Sequence, residues 1–157
     1  MNTQQLATLK ADILADPQLS GQPMNSDGAF AISEVYNREA SPVFVVWRTS
    51  VGVDEIMGNG FVWTAVDGLA AGKARIWEWM SRLGTINPSK ANIRQGLQDA
   101  FGAGSAMANA IAPHLKRNAS RFEKLFASGG SGTSGAPATM AVEGPVTYQD
   151  IETARSL

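Results

Sequence analysis

The sequence predicts an all-α protein: a compact bundle of about five helices, then a flexible Gly/Ser linker and an extended C-terminal tail ending in a short helix. Three observations indicate this class. Apolar residues recur at steps of three and four along several segments, which is the period of a helix face. Proline and glycine residues separate those segments. Only one short segment favours a strand, and no partner strand is visible elsewhere in the sequence.

The spacing of apolar residues in the N-terminal region predicts two helices. The first begins at Thr3, a residue type that caps helices, and ends before Pro17, because the residue preceding a proline avoids helical geometry. Its apolar face consists of Leu6, Leu9, Ile13 and Leu14. The second helix follows Asp27, and its apolar residues are Phe30, Ile32, Val35 and Tyr36.

Residues 41–47 (SPVFVVW) are ambiguous. Their β-branched and aromatic side chains favour a strand, whereas Ser-Pro also matches the cap and first position of a helix. We favour a buried helical turn or helix, since no partner strand is visible. Residues 54–57 predict a further helical turn, ended by Gly58, Asn59 and Gly60.

The longest predicted helix runs from Thr64 to Gly84. Its apolar stripe consists of Leu69, Ile76, Met80 and Leu83. Glycines at 68 and 72 each cost a helix about 1 kcal/mol relative to alanine, which predicts close contact with another helix there. Trp77 and Trp79 are two residues apart and cannot share a face, so at least one of them points away from the main core.

Two more helices complete the predicted bundle. One carries Ile93, Leu97 and Phe101 at four-residue steps and ends at Gly102. The last begins near Ser105 and is kinked or split at Pro113. Its outer face is basic and holds Lys116, Arg117, Arg121 and Lys124.

The C-terminal segment predicts a linker and an arm. Residues 128–135 (SGGSGTSG) have the composition of a flexible linker. Thr147 and Asp150 form a capping-box pattern that predicts a short helix ending at Leu157. Such a helix is too short to stand alone and must dock on its own domain or on a neighbour. We therefore divide the chain into a helical domain, 1–127, and a linker with a C-terminal arm, 128–157.

Charge is segregated along the chain although the total is nearly neutral. Residues 73–127 carry nine basic and three acidic side chains, residues 1–72 carry three and eight, and residues 128–157 carry one and three. This order suggests faces of opposite sign, suited to head-to-tail self-association or to a polyanion on one side. Because no apolar run approaches the ~20 residues that span a bilayer, we expect no membrane partner.

No catalytic constellation is evident, and we expect neither an enzyme nor a bound cofactor. The chain has no cysteine, which excludes disulfides, zinc–thiolate sites and thiol nucleophiles. His114 is the sole histidine and has no recognisable nucleophile motif beside it. The Gly68–Lys73 stretch is one residue short of a phosphate loop, and Ala74 replaces its Ser or Thr. We interpret the acids Asp54, Glu55 and Asp67 as residues at helix N-termini.

Four segments resemble a family of small virion structural proteins of tailed bacteriophages, over roughly Trp47 to Ala127. They are 46–51 (VWRTSV), 55–61 (EIMGNGF), 72–80 (GKARIWEWM) and 93–102 (IRQGLQDAFG). The resemblance implies a head–tail connector, or neck adaptor: a compact helical protein that forms a homo-oligomeric ring beneath the portal. It implies as partners further copies of the chain, the portal and the tail or neck proteins, with transient contact to DNA in the lumen. The location it implies is the virion, after synthesis in the bacterial cytoplasm.

On this interpretation we expect nine residues at contacts between subunits. They are Trp47, Arg48, Trp79, Lys116, Arg117, Arg121, Thr147, Tyr148 and Ile151. Two alternatives remain open at this point. One is a capsid decoration or minor capsid protein. The other is a DNA-binding module associated with packaging, in which the late basic residues contact phosphates and tryptophans stack on bases.

Overall fold

The computed structural model describes residues 1–58 and 60–157. In this part of the chain the helices are α1 (Thr3–Ala15), α2 (Pro17–Ser20), α3 (Ser26–Asn37), α4 (Val53–Gly58), α5 (Trp63–Asp67), α6 (Ala71–Ser81), α7 (Ala91–Phe101), α8 (Ala106–Ile111), α9 (Arg121–Leu125) and α10 (Tyr148–Ser156). The strands are β1 (Val45–Trp47), β2 (Val51–Gly52), β3 (Thr85–Ile86), β4 (Lys116–Asn118), β5 (Ala127–Ser128) and β6 (Thr139–Met140). A 3₁₀ turn, Ala112–Leu115, joins α8 to β4.

The all-α prediction is wrong, because the described chain is a mixed α/β fold. Helices make up 55% of it and strands about 12%, the strands forming three two-stranded antiparallel sheets. The sheets pair β1 with β4, β2 with β3 and β5 with β6. Each sheet is too small to be stable alone in water, so each depends on its contacts with the rest of the chain.

The ambiguous segment at 41–47 contains a strand, not the helix that we favoured. Val46 of β1 lies opposite Arg117 of β4, and Ala138 bridges Val46 on the other side. Val46 is fully buried between these partners. The partner strand falls in the basic segment that was predicted as helix. That helix, expected to be kinked or split at Pro113, is divided into α8 and α9, and the 3₁₀ turn and β4 lie between them.

The predicted long helix is divided into α5 and α6. Gly68 caps the C-terminal end of α5, and α6 begins three residues later. The predicted close helix contact at the two glycines is also wrong: a Cβ at Gly72 would meet no described atom within 4 Å, and one at Gly68 would meet only the Thr64 carbonyl oxygen, at 3.7 Å. Asn59, one of the residues expected to end the turn at 54–57, lies outside the described residues.

Other local predictions are confirmed. The first helix spans Thr3 to Ala15, although its capping residue is Asn2. The helix ending at Gly102 is present as α7, and Thr147 caps α10 through the capping box with Asp150. None of the described helices combines the length and apolarity needed to cross a lipid bilayer.

Three apolar clusters hold the fold together. The central cluster is built by residues between β2 and the 3₁₀ turn, and its members are Val51, Ile56, Phe61, Trp77, Met80, Ile86, Leu97, Ala100, Phe101, Met107, Ile111 and Leu115. The terminal cluster joins both ends of the chain and contains Leu9, Ile13, Leu19, Ala29, Ile32, Tyr36, Phe122, Val146, Ile151 and Ala154. A third cluster lies at the β1–β4 sheet: Val46, Ala119, Ala138 and Met140.

Residues 128–157, expected as a linker and an arm, lie against the rest of the chain. The Gly/Ser segment lies in the connection between the paired strands β5 and β6. Within it, the Gly132 carbonyl accepts a hydrogen bond from the Val45 N–H at 2.7 Å. The C-terminal helix α10 packs on α1 and α3 and buries Ile151 and Ala154 completely. The docking that this short helix requires is therefore made on its own chain.

Candidate assembly surfaces

Two of the cations expected at subunit contacts are bound to acidic residues of the N-terminal region. The Arg121 guanidinium donates to Asp16 at 2.9 Å and to Asp12 at 3.1 Å, and it lies over the Tyr36 ring. Hydrogen bonding from Arg121 lowers the pKa of the Asp16 carboxyl below its usual value. Arg48 donates to Glu55 and, at 3.1 Å, to the His114 carbonyl oxygen. Both cations therefore have acidic partners within their own chain.

Arg117 pairs with Glu123, the one buried carboxylate among the described residues. Its guanidinium donates two bonds, of 2.6 and 2.7 Å, to the carboxylate of Glu123, which is 3% exposed. The Ser120 and Gly144 N–H groups each donate to the same carboxylate at 3.0 Å. Burial alone raises the pKa of Glu123, but the Arg117 bonds and the two N–H donors outweigh it and hold the pKa below its usual value. Glu143 adds a weaker contact to Arg117 at 3.3 Å.

Trp47 and Lys116 are cross-strand partners in the β1–β4 sheet and line one cleft of about 320 Å³. The Arg94 guanidinium lies 4.7 Å from the Trp47 ring centroid, and the Lys116 ammonium donates to the Ser134 carbonyl oxygen at 2.8 Å. The structure thus brings Trp47 and Lys116 together, and both side chains have partners within the chain.

The tail residues divide between the surface and the core. Thr147 is an exposed helix cap, and Tyr148 is 39% exposed. Ile151 is fully buried in the terminal cluster, so it holds α10 on its own chain and is not available to a second subunit in this conformation.

Trp79, one of the predicted contact residues, is 62% exposed, while Trp77, two residues before it, is buried. This confirms that one of the pair points away from the core. Four of the exposed residues of α6 and the turn after it make up what we call the basic stripe: Arg75, Trp79, Arg82 and Leu83. The exposed acid Glu78 lies beside this stripe. Arg82 pairs with Glu78 one turn earlier, whereas Arg75 forms no ion pair with any described residue.

An exposed stripe of opposite sign lies on α3. Phe30 is 57% exposed, and Asp27 and Glu34 lie on the same face, three residues before and four residues after it. We call these three residues the acidic stripe. Neither carboxylate pairs with a cation anywhere in the described chain. The C-terminal helix adds a third acid beside this stripe, because Glu152 accepts a hydrogen bond from Ser26 at 2.6 Å.

The acidic stripe was not predicted, because Phe30 was grouped with the apolar residues Ile32, Val35 and Tyr36 of the same helix. The spacing held the correct signal. Ile32 and Tyr36 are four apart and share the buried face, while Phe30 precedes Ile32 by two residues and so lies on the other side of the helix. Of the basic stripe, only Trp79 was predicted as a contact residue. Arg75 and Arg82 lie four residues before it and three residues after it, a spacing that places them on the same side of the helix.

Further large apolar side chains are exposed elsewhere on the described surface. Those more than half exposed are Leu14, Met24, Phe30, Val43, Trp63, Trp79, Leu83 and Leu157. Contiguous apolar patches on a soluble subunit mark contacts with other molecules. Phe30 and Trp79 are distinguished because each lies on a helix between two charged residues of one sign.

No group of three or more His, Asp or Glu side chains that could hold a metal ion occurs in residues 1–58 and 60–157. His114 Nδ1 lies 3.8 Å from Glu55, and hydrogen bonding from Arg48 lowers the pKa of that carboxyl. The four late cations do not share one helix surface as expected, because Lys116 and Arg117 lie on β4 whereas Arg121 and Lys124 lie on α9.

Comparison of the chain with protein-family models, with curated proteins and with solved structures finds no match in any of the three.

Proposed function

We propose that the protein is a structural subunit of a tailed-bacteriophage virion, which assembles with copies of itself into a ring that joins the head to the tail. The observation that carries the assembly part is that one subunit exposes a basic stripe around Trp79 and an acidic stripe around Phe30. Two different, complementary surfaces on one subunit favour heterologous, head-to-tail contacts, and such contacts close into rings when the rotation per subunit permits. The place in the virion rests on the sequence resemblance.

The assembly is tested by measuring the mass of the purified chain. Analytical ultracentrifugation over a wide range of concentrations, with negative-stain imaging of the largest species, should show closed rings of one size. A chain that stays monomeric at every concentration would contradict the ring.

The location is tested on phage particles that carry the chain with a C-terminal tag. Leu157 is 55% exposed, so a tag can be attached there without displacing buried residues. We expect gold label at a single vertex, where the tail joins the head. Label spread over the capsid would instead favour a decoration or minor capsid protein.

DNA contact is the second candidate, and one observation favours it. Lys73, Arg75 and Lys90 are exposed, and within the described residues none of them forms an ion pair. Three phosphate contacts would give an affinity that falls with salt at a logarithmic slope of about −3. The test is retention on duplex DNA as salt is raised, comparing the wild type with Lys73→Gln/Arg75→Gln. No binding in ~50 mM salt would exclude this candidate.

A further inference from the structure

The basic and acidic stripes match in spacing as well as in charge. On α3, Asp27 precedes Phe30 by three residues and Glu34 follows it by four. On α6 the order is reversed, since Arg75 precedes Trp79 by four residues and the next cation, at 82, follows it by three. At 1.5 Å per residue, each stripe places its two charges about 4.5 and 6 Å along the axis from the aromatic ring. The two patterns coincide when the helices run antiparallel.

We propose that α6 of one copy packs antiparallel against α3 of the next copy, with Trp79 against Phe30. In this register Arg82 lies beside Asp27, and Arg75 lies beside Glu34. The inference rests on the proposed head-to-tail assembly and assigns the surfaces that make it. The partner of each stripe is a second copy of the chain. Within one copy Phe30 and Trp79 are both more than half exposed, so the two stripes do not cover each other.

The neighbouring residues fit the same register. Leu83, which is 62% exposed, comes close to Met24, which is 76% exposed just before α3, so the apolar contact continues at that end. Glu78, the exposed acid of α6, falls opposite the uncharged Ala31, and no pair of like charges is brought together there. Aromatic pairs and complementary charges around a desolvated centre are the usual source of affinity and register in protein contacts.

Charge exchange tests this contact. Variant A is Asp27→Lys/Glu34→Lys, and variant B is Arg75→Glu/Arg82→Glu. Each variant alone sets like charges against each other across the proposed contact, whereas a mixture of A and B restores opposite charges at both kinds of contact. Matched controls are Asp99→Lys and Lys90→Glu, single charge reversals at exposed positions outside the stripes. Circular dichroism and thermal unfolding establish that every variant is folded.

Sedimentation of A alone and of B alone should give monomers, with a dissociation constant for self-association raised at least about 100-fold. The equimolar mixture should assemble as the wild type does, and the two controls should also assemble. If the wild type assembles and both variants still do so alone, the helix pairing is wrong while the proposed assembly stands. If A and B are monomeric and their mixture stays monomeric, the register is wrong. If the wild type itself never assembles, the proposed function fails together with this contact.

Discussion

Gly132 shows how one residue in a segment of linker composition becomes a packing residue. Its φ is +72°, in the left-handed region that favours glycine, and a Cβ there would lie 2.1 Å from the Phe44 ring. The Gly132 carbonyl also accepts the hydrogen bond from Val45 at the edge of β1. A glycine-rich composition alone therefore did not reveal that this position is packed.

We expect Gly132→Ala to lower the free energy of unfolding by about 2–4 kcal/mol, the sum of left-handed strain and of the steric clash with Phe44. Urea unfolding measures this change. The matched control is Gly135→Ala, because Gly135 has no positive φ and a Cβ there meets no described atom within 4 Å. That control should change stability by less than about 0.5 kcal/mol. Equal effects at the two positions would contradict the packing described for residue 132.

Glu123 is the more buried member of its ion pair with Arg117. Glu123→Gln keeps the shape but removes the charge that Arg117 needs, and we expect it to lower the free energy of unfolding by about 2 kcal/mol at pH 7. This value lies below the usual cost of breaking a buried pair because the Arg117 side chain is 33% exposed and partly solvated. The control is Glu143→Gln, whose 43% exposed carboxylate should contribute less than about 1 kcal/mol.

The same variant predicts a pH dependence. The pKa of Glu123 is lower in the folded chain than its usual value of about 4.3, so its contribution is fully present above that value. The contribution is lost as the pH falls through the lower, folded pKa, because the unfolded chain then binds the proton more readily. The stability difference between wild type and Glu123→Gln should therefore shrink below about pH 4. A difference that stays constant from pH 7 to pH 3 would contradict this account.

Among the elements, α10 shows how a helix of nine residues persists. Its capping box satisfies the first N–H groups, but a helix this short is marginal in water without tertiary contacts. Ile151 and Ala154 supply those contacts in the terminal cluster, together with residues of α1 and α3. This helix therefore closes the cluster formed by the N-terminal helices.

We expect Ile151→Ala to lower the free energy of unfolding by about 3 kcal/mol, since it leaves a cavity among fully buried neighbours. Thermal unfolding followed by circular dichroism measures the loss, and limited proteolysis should cleave the variant near its C-terminus. Leu157→Ala is the control, because Leu157 is 55% exposed at the end of the same segment and should cost less than about 0.5 kcal/mol. Resistance of both variants to protease would show that α10 is not held by Ile151.

For the whole molecule, the segregation of charge along the chain has two uses. Part of it is satisfied within the subunit, where Arg121 of the basic segment binds Asp12 and Asp16 of the acidic segment. The rest remains on the surface as the basic stripe of α6 and the acidic stripe of α3. The segregation is therefore consistent with both an internal contact and the proposed contact between copies.

Raising NaCl from ~50 to ~500 mM should weaken self-association of the chain about tenfold, because salt screens the charges on the two exposed stripes. The apolar contact at their centre should keep the assembly from being abolished. Sedimentation equilibrium at several salt concentrations measures the effect, with circular dichroism at each concentration to show that the fold is unchanged. Assembly that strengthens steadily with salt would indicate a contact dominated by apolar residues instead.

The sequence by itself determined the helices whose signals are local, and only the tertiary structure decided the sheets and the use of each charged residue. The first helix, α7 and α10 were predictable because caps, apolar period and helix-ending residues lie within a few positions of one another. The β1–β4 sheet was not, because Val46 finds its partner near Arg117, far along the chain, and strand pairing leaves no mark in a local window. The exposure of Trp79 could be predicted in part, because Trp77 lies two residues before it and the two side chains cannot share one helix face. The burial of Ile151 and the ion pairs of Arg117 and Arg121 depended on which distant segments the fold brings beside them.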